Sequence, residues 1–337
     1  MYFNVTDIEK MANMDLECWS EDWGIPSIDP ECIKILAFAK FSGAPLIQKS
    51  TNNPFWTPKG DLPVFRHSGI VLTDFISVSK HLLSCNYSAD YNLSPKQMSE
   101  ANAFILLMDE KLLPAMKYLM WVDAKNHVEM TRPWYGKHLP FPLGLYYPNK
   151  YEQEAVKLVE SLYGQFSDNL EIGNDTIVET CIYKAAQECI TMMSNRLGDN
   201  QYMFGRSPSS VDAVMYAYLA PLMKAPFPNN SLQNYLKNCN NLVKFVVRIS
   251  QNYFPKVVKN YEEKSLKEEH EKEPPKQESN AEEEKPWENE TRNKILAGCV
   301  ASLAMGVYAH KSGLVDIAKQ IEFRFGDDEE EEEYEDD

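Results

Sequence analysis

Seven cysteines and six histidines are the side chains of this chain best suited to nucleophilic or metal chemistry. The thiols stand at Cys18, Cys32, Cys85, Cys181, Cys189, Cys239 and Cys299, and the imidazoles at His67, His81, His127, His138, His270 and His310. Zinc sites announce themselves by close pairs such as CxxC or HExxH, which put two ligands on one turn or one helix face. No such spacing occurs, so no metal or cofactor is expected from the sequence. A phosphate-cradling GxxxxGK[ST] loop and a GxSxG nucleophile elbow are also missing. The lone glycine of "FSGAPL" (residues 41–46) serves a turn. An odd number of scattered thiols behind an N-terminus with no signal peptide reads as reduced cysteines in a protein facing the cytosol.

The net charge of -16 is unevenly placed. "DDEEEEEYEDD" (327–337) holds ten acids and no base, and residues 261–294 hold 12 acids against 7 bases. The remainder is close to neutral, which leaves no basic surplus to neutralise phosphates and speaks against nucleic-acid binding.

The elements that would position any site fall into two groups. Over residues 14–85 the order is β-α-β-β-β-α, which suits a small mixed sheet with helices on it. "DPECIKILAFAKF" reads as a helix capped by Asp29, with Pro30 in its first turn and Cys32, Ile35, Leu36 and Ala39 on one face. "LPVFRHSGIVLTD" reads as two strands about a turn near Ser68 and Gly69, followed by a helix entered at Thr73 or Asp74. Residues 94–255 read as helical. The first helix opens on Ser94 and Pro95 and is expected to kink at Pro114. Helices follow over 151–167, 175–197, 209–224 and 231–252, with an irregular connection at 132–150. Residues 261–294, rich in Glu, Lys, Pro, Ser and Asn, read as a disordered tether.

"LPVF" (62–65) followed by "GIVLTD" (69–74) and a helix resembles the second half of a thioredoxin-like glutathione-transferase N-terminal domain. That resemblance implies a cis Pro63 at the end of the loop before the third strand. "YMFGRSPSSVDAVMYAYLAPL" (202–222) resembles the folding motif of the family's helical domain. Ser209 caps a helix there and Asp212 answers its backbone N–H, a capping-box variant. More specific are "CWSEDWGIPSIDPECIKILAFAKFSGAPL" (18–46), "YSADYNLSPKQ" (87–97), "DEKLLP" (109–114) and "WYGKHLPFPL" (134–143), which together resemble the metaxin family. The implied fold is α+β, with a thioredoxin-like N-terminal domain, an all-α glutathione-transferase-like C-terminal domain and a single C-terminal transmembrane helix.

A glutathione transferase needs a hydroxyl or thiol near the end of its first strand. Cys18 and Ser20 are the local candidates, although Cys18 shares a strand face with Leu16 and so suits the core. The family also places an acid followed by Ser or Thr at the start of the helix after the fourth strand. Here the pair is Asp74 and Phe75, and Phe75 cannot donate to a carboxylate. The expectation is therefore a chain without catalytic residues and with no cofactor, in which Asp74 serves as a helix cap. A membrane-tethered glutathione-dependent enzyme is the alternative.

"KILAGCVASLAMGVYAHK" (294–311) carries 15 apolar-core residues, a helix of about 22 Å against a hydrocarbon core of about 30 Å. Continuation through "KSGLV" brings it to about 21 residues and about 31 Å, enough for an anchor over 295–315. Arg292, Lys294, His310 and Lys311 flank it and can snorkel to headgroups. Gly298, Ser302 and Gly306 recur every four residues, a stripe suited to close helix approach.

By resemblance, the chain is a non-catalytic subunit of outer-mitochondrial-membrane import and β-barrel assembly machinery, folded part in the cytosol. The implied partners are a second metaxin-type subunit, a β-barrel assembly protein, precursors in transit and the lipid bilayer. A role in organelle positioning is also implied. Trp19, Trp23, Phe75 and Trp134 are candidate apolar contacts for a partner, and each serves equally well as a core residue.

Overall fold

The computed structural model describes residues 13–163 and 174–272. Strand β1 (Met14–Cys18) turns Met14, Leu16 and Cys18 to the core in strict alternation, the period of a pleated strand. Helix α1 (Pro30–Ser42) carries the chain across to β2 (Leu46–Ser50), which pairs parallel to β1 with Met14 opposite Leu46. Parallel strands need such a crossover. Asp29 caps α1 by accepting from the Cys32 N–H at 2.9 Å, and Gly43, in the left-handed region at φ 72°, ends it. A 3-10 turn (Pro54–Trp56) then leads to β3 (Val64–His67) and β4 (Ile70–Leu72). The sheet order is β2-β1-β3-β4, with β3 antiparallel to both of its neighbours. The Leu62–Pro63 peptide is cis, where the resemblance puts it. Asp74 caps α2 (Phe75–Ser84) by accepting from the Ser77 N–H at 2.8 Å.

Helix α3 (Pro95–Lys117) opens on a reciprocal Ser94–Gln97 capping box, which satisfies its free N–H groups. It passes through Pro114 and continues into two wide π-turns, Tyr118–Val122 and His127–Thr131. Then come α4 (Arg132–His138), α5 (Leu143–Tyr163), α6 (Asn174–Leu197), α7 (Ser210–Lys224), α8 (Ser231–Asn238), α9 (Asn240–Tyr253) and α10 (Pro255–Lys272). Every residue of α7 from Ser210 to Leu222 is buried, as befits a helix apolar on all faces at the centre of a fold. α1 packs along α7 more extensively than any other helix pair packs. Sheet layer and helical layer thus share one core, within the compact unit that ends at Lys272.

Three expectations are corrected. Residues 132–150 are not an irregular connection but hold α4 and the first turns of α5. Gly144 explains part of this, because a Cβ there would stand 3.1 Å from the Gly136 carbonyl oxygen. The expected helix over 231–252 is two helices that break at Cys239. The tether expected from Tyr261 begins as helix, since α10 runs on to Lys272. Val257 packs on the core, Lys264 approaches Asp22 at 3.9 Å, and Lys259 reaches Glu263 one turn on at 3.7 Å, contacts that support an otherwise polar helix.

Among the described residues no helix is long and apolar enough to cross a membrane. The anchor expected over 295–315 lies outside the described residues, with Gly298, Ser302 and Gly306, the flanks Arg292, Lys294, His310 and Lys311, and the tail 327–337.

Candidate functional site

One cleft lies where the sheet layer meets the helical layer, and none of Cys18, Ser20, Asp74 and Phe75 lines it. Its floor is the first turn of α1, with Asp29 and Glu31, and one wall is the loop before β3, with Asp61 and Leu62. The end of α3 and the π-turn after it supply Met116, Lys117 and Trp121, while α4 and α5 bring in Tyr135 and Tyr151. The loop is pinned to α5 by Tyr151, whose hydroxyl donates to Asp61 Oδ1 at 2.9 Å, and by Lys150, which donates to the Gly60 carbonyl at 3.2 Å.

Aromatic rings fill much of this cleft. Trp19 meets Tyr135 edge-on at 4.8 Å between centroids, and Trp121 stands 4.9 Å from Tyr135 and 5.3 Å from Tyr151. The cavity left over is about 90 Å³, well short of the roughly 300 Å³ at which small-molecule pockets begin.

The titratable groups are tuned away from thiol chemistry. Burial pushes the Cys18 thiol up to about 12, and its Sγ–H points at the Lys49 carbonyl at 3.8 Å. Burial also holds the Tyr135 and Tyr151 phenols above their usual range, so neither offers a phenolate. Asp29 keeps one edge open to the cleft, but the loss of water around the rest pushes its pKa up to about 6 against the opposing charge of Lys117. Ser20 is occupied, since its hydroxyl accepts from Asn52 Nδ2 at 3.1 Å.

At the α2 end, the exposed Asp74 is spent on its cap, and Phe75 stacks edge-on against Phe38 at 5.7 Å instead of presenting a hydroxyl.

Trp19, Phe75 and Trp134 are 1%, 7% and 8% exposed. They lie in the core of this fold, the second of the two readings open to them. The Trp134 indole N–H donates to Asp22 Oδ2 at 2.8 Å, and its ring stacks on His138 at 3.9 Å. Trp23 is half-buried and lies 6.2 Å from Trp134, so of the four it alone keeps a face open. Ser209 and Asp212 sit at the start of α7, fully buried, with the Ser209 N–H donating to Asp212 Oδ2 at 2.9 Å.

Two family profiles match: Outer mitochondrial membrane transport complex protein over residues 32–152, and Glutathione S-transferase, C-terminal domain, over 186–249. Metaxin-1 of Bos taurus is 37% identical over 312 residues, covering 91% of this chain and 93% of its own. The chain belongs to the metaxin family. Metaxin-3 of Xenopus laevis is 41% identical over 241 residues, 72% of this chain and 77% of its own. The solved structure of the β-etherase LigF of Sphingobium aligns with a TM-score of 0.48 at 15% identity, over 75% of this metaxin and 99% of LigF. The sheet order and the matched helical profile together give this metaxin a glutathione-transferase-like fold with a mixed sheet and a helical C-terminal part. The first profile sets this metaxin at the outer mitochondrial membrane.

The buried Cys18 gives a direct prediction. Against the ordinary value of 9.0, a thiol at about 12 holds about a thousandfold less thiolate at pH 8. Native protein treated with iodoacetamide is expected to leave Cys18 unmodified in a peptide mass map, while urea-unfolded protein labels it fully. Labelling of Cys18 in the native chain at a rate near that of free cysteine would contradict this account.

Proposed function

We propose that this metaxin is a non-catalytic subunit of the outer-membrane machinery that imports proteins and assembles β-barrels, with its folded part in the cytosol and the segment 295–315 as its anchor. Similarity to Metaxin-1 over 91% of the chain is the observation that carries the reading. Four side chains support the non-catalytic half: Cys18 is held as a thiol, Tyr135 and Tyr151 are held as phenols, and Phe75 stands where the resemblance calls for a hydroxyl. Its partners would be a second metaxin-type subunit and a β-barrel assembly protein, with precursor proteins passing between them. The aromatic-filled cleft then acts as a rigid seat that holds the outer surface of the two layers in one shape.

Mitochondria depleted of this protein should insert β-barrel precursors more slowly. The full chain and a Cys18→Ala chain should both restore the rate, whereas a chain ending at Thr291 should not. In alkaline carbonate the full chain should stay with the membranes and the truncated one should be released. Unchanged insertion on depletion would remove the import reading. Retention on a glutathione resin, together with a Cys18-dependent transferase activity, would replace it with an enzyme.

A further inference from the structure

The fold assembles a cluster that the chain shows only in part, through His81 and Cys85 four residues apart. His67 ends β3, His81 lies in the last turn of α2, and Cys85 is the residue that closes that helix. His67 Nδ1 stands 2.9 Å from His81 Nε2, and Cys85 Sγ stands 3.8 Å from the same Nε2. All three atoms lie within 4.8 Å of one another, and all three residues are half-buried. None of them lines the aromatic cleft. We propose that His67, His81 and Cys85 form a Zn²⁺ site, with two imidazole nitrogens and one thiolate as protein ligands and water in the fourth position.

The geometry is close to what zinc requires. Bonds of about 2.05 Å to nitrogen and 2.3 Å to sulfur at tetrahedral angles put two nitrogens about 3.3 Å apart, and a nitrogen and a sulfur about 3.6 Å apart. The observed separations of 2.9 and 3.8 Å bracket those values, so capture of the ion needs the two rings to part slightly and the Cys85 side chain to swing in. His81 and Cys85 are four residues apart on one helix, the same face-sharing spacing that serves paired metal ligands elsewhere.

The buried Phe65 ring backs the cluster, 5.6 Å from His81 and 6.4 Å from His67 between centroids. Imidazole with thiolate suits borderline-soft Zn²⁺ rather than Mg²⁺ or Ca²⁺. The ion would tie the end of β3 to the C-terminal end of α2, clipping the edge half of the sheet to its covering helix.

The probe is Co²⁺ alone, titrated into the reduced full chain. One equivalent should produce visible ligand-field bands of tetrahedral intensity and a thiolate-to-cobalt charge-transfer band in the near ultraviolet. One equivalent of Zn²⁺ should bleach both. Cys85→Ser should abolish the charge-transfer band and Cys239→Ser should keep it. His67→Gln and His81→Gln should each weaken binding by at least about tenfold, the loss that even an outer-shell contact costs. Each variant is checked for an unchanged far-ultraviolet dichroism spectrum. A second reading needs no variant to fold: Zn²⁺ should raise the melting temperature of the wild-type chain, because it binds the native state. Absence of tetrahedral bands, a charge-transfer band that survives Cys85→Ser, or a melting temperature indifferent to Zn²⁺ would overturn the site. The 2.9 Å contact would then be an N–H···N hydrogen bond between the two rings.

Discussion

Lys34→Ala is expected to destabilise the folded unit by about 3 kcal/mol, read as a lowered urea midpoint with little change in slope. Lys34 lies in the middle of α1, only 3% exposed. Its ammonium donates to Glu31 Oε1 at 2.6 Å, to Asp109 Oδ1 on α3 at 2.8 Å and to the Tyr218 hydroxyl on α7 at 2.9 Å. Tyr218 closes the ring by donating to Asp109 at 2.7 Å. One cation therefore joins the helix that crosses the sheet to two helices of the other layer. Its removal strands the buried face of Asp109 and deletes a packed side chain, and breaking a buried pair costs about 3–5 kcal/mol.

The lower end is the fitting one, because the Asp109 and Glu31 side chains are 34% and 37% exposed and partly screened by water. Burial by itself would lower the Lys34 pKa, but Glu31 and Asp109 outweigh it and hold the pKa above 10.5. A raised lysine contributes fully below its unfolded value and fades only as pH climbs through the folded one. The loss should therefore be the same at pH 6 and pH 8. A Lys34→Met, Asp109→Leu pair should cost clearly less than the sum of its single changes, since removing both charges strands neither. Additive single costs, or a midpoint that Lys34→Ala leaves in place, would show that the network does not hold the layers together.

How much of this was readable in the chain depends on the kind of signal. The sheet layer was legible: alternation in β1, the Asp29–Pro30 helix start and the turn at Ser68 and Gly69 are local rules, and local geometry obeys them. The stretch 132–150 was not, because its glycines and prolines look like loop punctuation. Gly136 and Gly144 are instead the points where two helix backbones approach closely, a fact that exists only once both helices are packed. Residue type also failed to separate core from contact surface for Trp19, Phe75 and Trp134, since aromatic rings serve both. The imidazole pair was invisible for another reason. His67 and His81 are brought together by an antiparallel turn and a helix, while the readable half of the cluster, His81 and Cys85 four residues apart, is too common a pair to stand alone. Lys34 carried the most neglected signal: a lysine amid the apolar run "CIKILAF" must either break the helix face or find partners for its charge, and it finds three.

Asp212→Ala should cost more still, about 3–5 kcal/mol at neutral pH, because two buried backbone donors lose their only described acceptor. Asp212 Oδ1 accepts from the Met203 N–H at 2.9 Å, and Oδ2 accepts from the Ser209 N–H at 2.9 Å and the Ser209 hydroxyl at 2.6 Å. Met203, Ser209 and Asp212 are all buried, so water cannot take over the lost bonds. Asp212→Asn should do little better, since its amide nitrogen would turn a donor towards donors.

The pH dependence has an unusual sign. Burial pushes Asp212 up to about 6, against the three donors that pull the other way. Between 3.8 and about 6 the folded chain holds a proton that the unfolded chain releases, so in this window acid favours the folded state through this group. Most stabilising carboxylates act in the opposite sense. Asp29 shares the direction, but it is present in wild type and variant alike and cancels in the comparison. The stability gap between wild type and Asp212→Ala should therefore widen as pH falls from 7 to 5. A gap that narrows over that range would mean that the three hydrogen bonds to the charged form outweigh its desolvation, and that α7 is held at its start by a carboxylate rather than by a protonated acid.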